Sequence, residues 1–345
     1  MRIEQKKREA INRYILEKIS EGRQDLASAV AGEFGMNPGS VYQFLKRMKE
    51  DGTIVRKQRG AYELCEQSRS ILLRRSAGEM EDETQIVKSI FHGKMDSLPE
   101  NVRIMWSYIA SEMLNNAIEH SDAEHLNVRI EQNALLTRLV VEDDGIGIFR
   151  KIMEHFGMHS PEDAICELFK GKLTTDPSHH SGEGIFFSSR MADRFVIRSE
   201  GHIFTVNRLD QDDLVPEQER KPGTEVIMEL SNASNKTAAE IFDRFAEVDG
   251  GFRKTKLPLK NMFDAAPVSR SQAKRLCQRL DSFGEVILDF EGLSWMGQGF
   301  AHQIFVVFRG EHPDVTIRAE NMCREIEAMY NHVLGGKNGT GNGEA

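Results

Sequence analysis

Apolar residues recur at helical spacing near the start of the chain, where Ile11, Tyr14, Ile15 and Ile19 fall on one stripe of residues 4–20. A second short helix is predicted over Leu26–Phe34, ended by Gly35. In a third, Asn37 is a candidate N-cap and Pro38 suits the first turn, while Val41, Phe44, Leu45 and Met48 make the apolar stripe up to Asp51-Gly52. Two short strand-like runs follow, Thr53–Arg56 and Ala61–Leu64, joined by a basic turn with Lys57, Arg59 and Gly60. Residues 66–84 are polar and charged apart from an apolar patch at Ile71–Leu73, and read as a linker, in part helical. Residues 85–231 predict two helices, then strands and glycine-rich loops. A polar break at Ser231–Asn235 opens a connector, 232–249. Strands and helices alternate again over 250–335, and the Gly/Asn-rich tail, 336–345, is expected to be disordered.

At 345 residues the chain is too long for one ordinary core, so several domains are expected. Its 39% hydrophobic and 29% charged residues fit a soluble globular protein. The sequence holds no apolar run of membrane-spanning length, and its charged N-terminus lacks the apolar core of a signal peptide. Cys65, Cys166, Cys277 and Cys323 are far apart and form no CxxC pair, which argues against a metal cluster or a disulfide framework. A reducing cytoplasm is the expected setting. Residues 1–65 hold 13 Lys and Arg against 9 Asp and Glu, whereas the whole chain carries −9. A basic module on an acidic body suits nucleic acid, although a solvated charged surface gives the same count.

Three motifs carry chemistry. In SEMLNNAIEHS, residues 111–121, Glu112, Asn116 and His120 lie four apart on one helical face. Such a polar row is poor core material and suits a Mg²⁺–triphosphate site; a solvent-facing amphipathic helix would look the same. In VVEDDGIGI, residues 140–148, a strand begun near Leu135 ends in Asp143 and turns through Gly145 and Gly147. A buried Asp at a strand end can accept from an adenine amine. An Asp-Gly turn also suits a hairpin, but apolar Ile148 and the long excursion after it argue against one. In HHSGEGIFFSSR, residues 179–190, Gly182 and Gly184 precede a helix whose N–H groups can face phosphate.

Together these motifs, in this order, resemble the N-box, G1-box and G2-box of the GHKL (Bergerat-fold, histidine-kinase-like) ATPase superfamily. Gly223-Thr224 resembles that family's late Gly-Thr. The resemblance covers about 86–231 and implies ATP and Mg²⁺ as ligands. Carried over by position, Asn116 would ligate Mg²⁺ and Asp143 would bind the adenine amine. Gly145 and Gly147 would shape the adenine pocket, Gly182 and Gly184 would meet the phosphates, and Thr224 would support the adenine end. Glu112 takes the general-base position of the hydrolysing members, and His120 lines the same face. Residues 149–181 would form the ATP lid, with Lys170, Lys172, Thr174 and Thr175 toward phosphate. His180 stands where relatives carry a glycine, and Asp144 where Asn is common.

The N-terminal elements, 1–65, resemble a winged helix-turn-helix. Ser40, Gln43, Lys46 and Arg47 would face a groove of double-stranded DNA and Arg56, Lys57 and Arg59 would line the wing; docking to protein is the alternative. Over 250–335, EVILDF (285–290) followed by SWMGQGF (294–300) and a helix through Phe308 resembles a STAS-like domain of the DUF4325 type, expected to dock a protein partner. The expected fold is therefore a multidomain α+β chain: winged helix-turn-helix, Bergerat-fold α/β sandwich, STAS-like α/β domain. Function divides three ways: a regulator coupling ATP occupancy to DNA binding, a serine/threonine kinase of the anti-sigma-factor type, or a slow ATPase clamp. Homodimerisation is left open.

Overall fold

The computed structural model describes residues 2–58, 60–173, 182–207, 221–246, 252–263 and 266–335. Arg59, Thr174, Thr175, His180 and the tail 336–345 lie outside them.

Three helices open the chain: α1 (Arg2–Ser20), α2 (Leu26–Phe34) and α3 (Pro38–Glu50). The Asn37 side chain accepts from the Gly39 N–H and caps α3, and Gly35 ends α2 in the left-handed region. A two-stranded antiparallel hairpin follows, β1 (Ile54–Gln58) and β2 (Ala61–Leu64). Ile11, Ile15, Val30, Val41, Leu45 and Ile54 close a core of their own between these elements.

The chain then enters β3 (Gln67–Arg74) after only two residues. This corrects the expected linker, 66–84: its first half is the edge strand of a six-stranded antiparallel sheet, ordered β3-β4-β5-β8-β6-β7. The sheet is completed by β4 (His125–Gln132), β5 (Leu136–Asp143), β6 (Arg194–Ser199), β7 (His202–Thr205) and β8 (Thr224–Ser231). Five helices belong to the same domain: α4 (Glu83–Ile90), α5 (Glu100–His120), α6 (Ile148–Phe156), α7 (Pro161–Lys170) and α8 (Gly184–Met191). Helix α5 buries Val102, Met105, Trp106, Ile109, Met113 and Leu114, each worth roughly 1.5–3 kcal/mol once removed from water.

The expected connector, 232–249, contains α9 (Ala238–Phe245). Thr237 and Glu240 form a reciprocal capping box at its start, and Phe242 stacks on Phe187 of α8. The last domain has three parallel strands in the order β11-β10-β9: β9 (Lys254–Pro258), β10 (Glu285–Asp289) and β11 (Thr316–Glu320). Around them lie α10 (Leu259–Met262), α11 (Arg270–Cys277), α12 (Gln298–His302), α13 (Arg309–Glu311) and α14 (Arg324–Gly335). Residues Gln303–Phe308, expected to continue a regular helix, form a π-helical stretch between α12 and α13. The middle and last domains share one continuous apolar core, separate from that of α1–α3. No helix among the described residues is long and apolar enough to cross a membrane.

Candidate functional site

The register of β5 against β8 sets Asp143 opposite Thr224 at one end of the sheet, beside the C-terminal half of α5. These elements surround a cavity of about 260 Å³ lined by Glu112, Asn116, His120, Asp143, Gly147, Gly182, Gly184 and Thr224. The three motifs and the late Gly-Thr, far apart in sequence, thus meet in one place. Gly145 is not on that lining; its N–H donates to Asp143 Oδ1 and shapes the turn from behind.

Asp143 is only 7% exposed. The N–H groups of Gly145, at 2.9 Å, and Thr224, at 3.3 Å, both donate to its Oδ1, which leaves Oδ2 for a ligand amine. Burial pushes the Asp143 carboxyl up to about 6, against the pull of those two N–H groups. Thr224 also accepts from the Ile148 N–H through Oγ1, at 3.0 Å, which ties the first residue of α6 to the sheet. Asp144, the departure from the common Asn, turns away from the cavity. It accepts from the His125 main chain and pairs with the His125 ring at 2.7 Å. Burial opposes ionisation there, but these bonds hold its carboxyl below the usual range.

At the other end, Glu112 meets the start of α8. A side chain at Gly184 would push the Glu112 carboxylate from its place against the start of α8, so glycine there lets the two come together as they do. Tyr108, one turn earlier on α5, is held as a neutral phenol by burial, reinforced by Glu112 and Glu183. Asn116 lies between the Glu112 and Asp143 ends of the lining. Among the described residues no group of three or more His, Cys, Asp or Glu could hold a metal by itself. Asn116 offers the cavity a neutral side-chain oxygen of a kind that Mg²⁺ accepts, beside the Glu112 carboxylate on the same lining.

Lys172, expected at the phosphates, is placed elsewhere. Its Nζ donates to Ser282 O of the last domain at 3.0 Å and lies over the Phe283 and Phe252 rings. A neighbouring carbonyl and two aromatic faces capture a long cation that sequence spacing pointed at the cavity. Lys170 is likewise buried against that domain. Sequence reading missed Lys151, the one Lys or Arg on the described lining, where it pairs with Asp122 at 3.1 Å. Its signal was a cation in the first turn after Gly147.

Of the N-terminal candidates, Ser40, Gln43, Lys46 and Arg47 are exposed along one side of α3, opposite Val41, Leu45 and Met48. Arg56 and Lys57 are exposed on β1. Lys57 is paired with Glu63 at 3.0 Å and Lys46 with Glu50 at 3.8 Å.

A layer of helices on an antiparallel sheet, with a carboxylate–carboxamide helix against a glycine-lined cavity, agrees with the GHKL resemblance of the motifs. Residues 102–234 match the family described as "Histidine kinase-, DNA gyrase B-, and HSP90-like ATPase". Residues 272–323 match the "STAS-like domain of unknown function (DUF4325)". The chain is also similar to the "Signal transduction histidine-protein kinase/phosphatase DegS" of Brevibacillus brevis, at 28% identity over 119 residues. That match covers 34% of this chain and 31% of the relative. The chain thus carries a GHKL-type ATP-binding domain and a STAS-like domain.

Proposed function

We propose that the protein is a regulator in which ATP occupancy of the middle domain is coupled to a DNA-binding winged helix at its N-terminus and to the STAS-like domain. The observation that carries this reading is the convergence of Asp143, Thr224, Asn116, Glu112 and Gly184 on one cavity. Asp143 takes the adenine amine through Oδ2, Asn116 holds Mg²⁺, and the first N–H groups of α8 receive phosphate. Lys151 supplies cationic charge on the same wall. Bound Mg²⁺ would neutralise phosphate charge; every other contact comes from the chain itself. The exposed row Ser40, Gln43, Lys46 and Arg47 supports a groove-facing helix: Lys and Arg meet phosphates while Ser and Gln read base edges. Calorimetric titration with a non-hydrolysable ATP analogue tests the pocket. Wild type should bind, and Asp143→Ala should lose at least a hundredfold in affinity; undiminished binding by the variant would refute the assignment. DNA affinity measured with and without the analogue tests the coupling, and identical values exclude it.

A second reading is favoured by the Glu112 carboxylate at the phosphate end. There it can take a proton from water, giving slow hydrolysis, or from a serine or threonine hydroxyl of a partner, giving kinase activity. Glu112→Ala should then abolish phosphate release or protein labelling from γ-labelled ATP while analogue binding persists. Unchanged turnover would sink this reading.

A further inference from the structure

The cavity wall does not end at the boundary of the middle domain. Gly171 and Leu173 line it on one side and Phe186 on another, and each approach is held by the STAS-like domain or what leads into it. The Thr255 hydroxyl, fully buried on β9, donates to the Lys170 carbonyl at 2.8 Å. Lys170 itself is 1% exposed. Its Nζ pairs with Glu167 and donates to Gln278 O at 2.6 Å and Arg275 O at 3.4 Å, just beyond α11 and at its last turn. Two more pairs cross the same seam, Arg275–Asp163 at 2.8 Å and Arg279–Glu167 at 3.8 Å. Arg279 also donates to the Lys172 carbonyl at 3.1 Å. Gly171, at φ +82°, is wedged between Phe252 and Phe186; a methyl group there would approach both rings to within 2.9 Å. Phe252 stacks on Phe186 at 4.5 Å between ring centres.

A surface joined only by a flexible tether would not bury a lysine, a glutamate and a threonine hydroxyl against one another. The Lys170–Glu167 pair lies within α7, but the bonds from Lys170 to Gln278 O and Arg275 O and from Thr255 to the Lys170 carbonyl exist only while the two domains are docked, and the segment they fix is the segment that lines the cavity. Loosening the seam would free Gly171 and Leu173 from these contacts and so alter the cavity wall. A nucleotide that fits one form of the wall better shifts the balance, and the linkage is reciprocal.

We infer that Lys170, Thr255 and Arg279 are positioning residues of the nucleotide pocket, so that docking of the STAS-like domain and nucleotide affinity are thermodynamically coupled. This rests on the nucleotide reading of the cavity. A small molecule or protein segment binding the STAS-like domain would thereby tune nucleotide affinity without touching the cavity.

Three measurements on the full chain test it, with the non-hydrolysable ATP analogue as probe. Thr255→Val together with Arg279→Ala should weaken analogue binding about tenfold, within the range usual for coupled sites. Far-UV circular dichroism reports folding of the variant. Lys170→Met should weaken binding too, and adding Glu167→Gln, which removes the remaining buried charge, should restore part of the loss; a merely structural seam would show stability changes without a matching change in affinity. In wild type, the analogue should slow amide exchange over 252–258 and 275–283 as well as around the cavity. If wild type binds the analogue but the folded variants bind equally well and protection stops at the cavity residues, the coupling is overturned and the pocket stands. If wild type fails to bind the analogue at all, the nucleotide reading falls and the coupling falls with it.

Discussion

The two flanking modules are attached to the middle domain in opposite ways. The STAS-like domain shares its apolar core and a seam of buried polar groups, including Lys170 and Glu167. The N-terminal module keeps a core of its own, to which the middle domain contributes the half-buried Leu135 from the β4–β5 turn. Burial of charge tells the two junctions apart. One ion pair whose partners, Lys170 and Glu167, are 1% and 4% exposed is covered by the neighbouring domain, as in a junction that stays closed most of the time. Among the described residues, Leu135 is the middle domain's apolar contribution to that separate core, a far smaller contact than the shared core on the other side. The pocket is therefore built to sense the C-terminal side directly, whereas a signal toward the N-terminal side has two narrow routes, Leu135 and the short passage from β2 into β3.

Several substitutions would break or sharpen this contrast. The largest effect is expected for Lys170→Met alone, which leaves the buried Glu167 with only the longer pair to Arg279, at 3.8 Å. It should cost the middle and C-terminal domains about 3–5 kcal/mol, as for other broken buried pairs. Amide exchange should accelerate over 161–170 and 275–283 while α1–α3 keep their protection. Equal acceleration in α1–α3 would show that the two junctions are not different in kind. Next is the pH response of the pocket. The Asp143 carboxyl is raised to about 6 in the folded chain, from 3.8, because burial disfavours its charge. Apo stability should therefore fall as pH rises from about 4 to 6. Ligand affinity runs the other way, because the ionised carboxylate is the acceptor for the amine. Adenosine, which has no phosphate proton to confuse the titration, should bind about tenfold more weakly at pH 5 than at pH 7. Asp143→Asn should flatten that profile. The smallest effect on the pocket belongs to the looser junction: Leu135→Ala should leave analogue affinity within about twofold, while Lys46→Ala and Arg47→Ala each lower the salt dependence of DNA binding by about one counterion.

Much of this arrangement was legible in the sequence where local chemistry decides structure. Gly35, Asn37 and Pro38 gave the ends of α2 and α3. The Asp-Gly turn and the four-residue spacing of Glu112, Asn116 and His120 gave two walls of the cavity. Strand β3 was missed because an edge strand buries only one face. Its inward residues, Ile71 and Leu73, flank the exposed but equally apolar Leu72, so the patch shows no period-two alternation to set against the polar composition around it. Helix α9 falls inside the expected connector, 232–249, to which the sequence reading gives no element although Thr237-x-x-Glu240 is a capping-box signature. Lys172 was misplaced for a different reason. Spacing along a chain says which residues neighbour a loop, not that Ser282, more than a hundred positions away, will offer a carbonyl to its ammonium group.

The two-residue passage between β2 and β3 also decides how the protein can be taken apart. A cut placed in the polar stretch 75–84 would carry off β3 with the N-terminal module and leave β4 as a raw edge, with its row of backbone donors and acceptors open to pairing with other chains. A cut at Cys65–Glu66 keeps the sheet whole. The first helices and hairpin can thus be exchanged for another folded module as a cassette, with the joint at those two residues. On the other side the chain passes from β8 through residues 232–237 into α9, whose Ala238 and Phe245 belong to the apolar core shared with the last domain. Recombination could give this protein a new head more readily than a new tail.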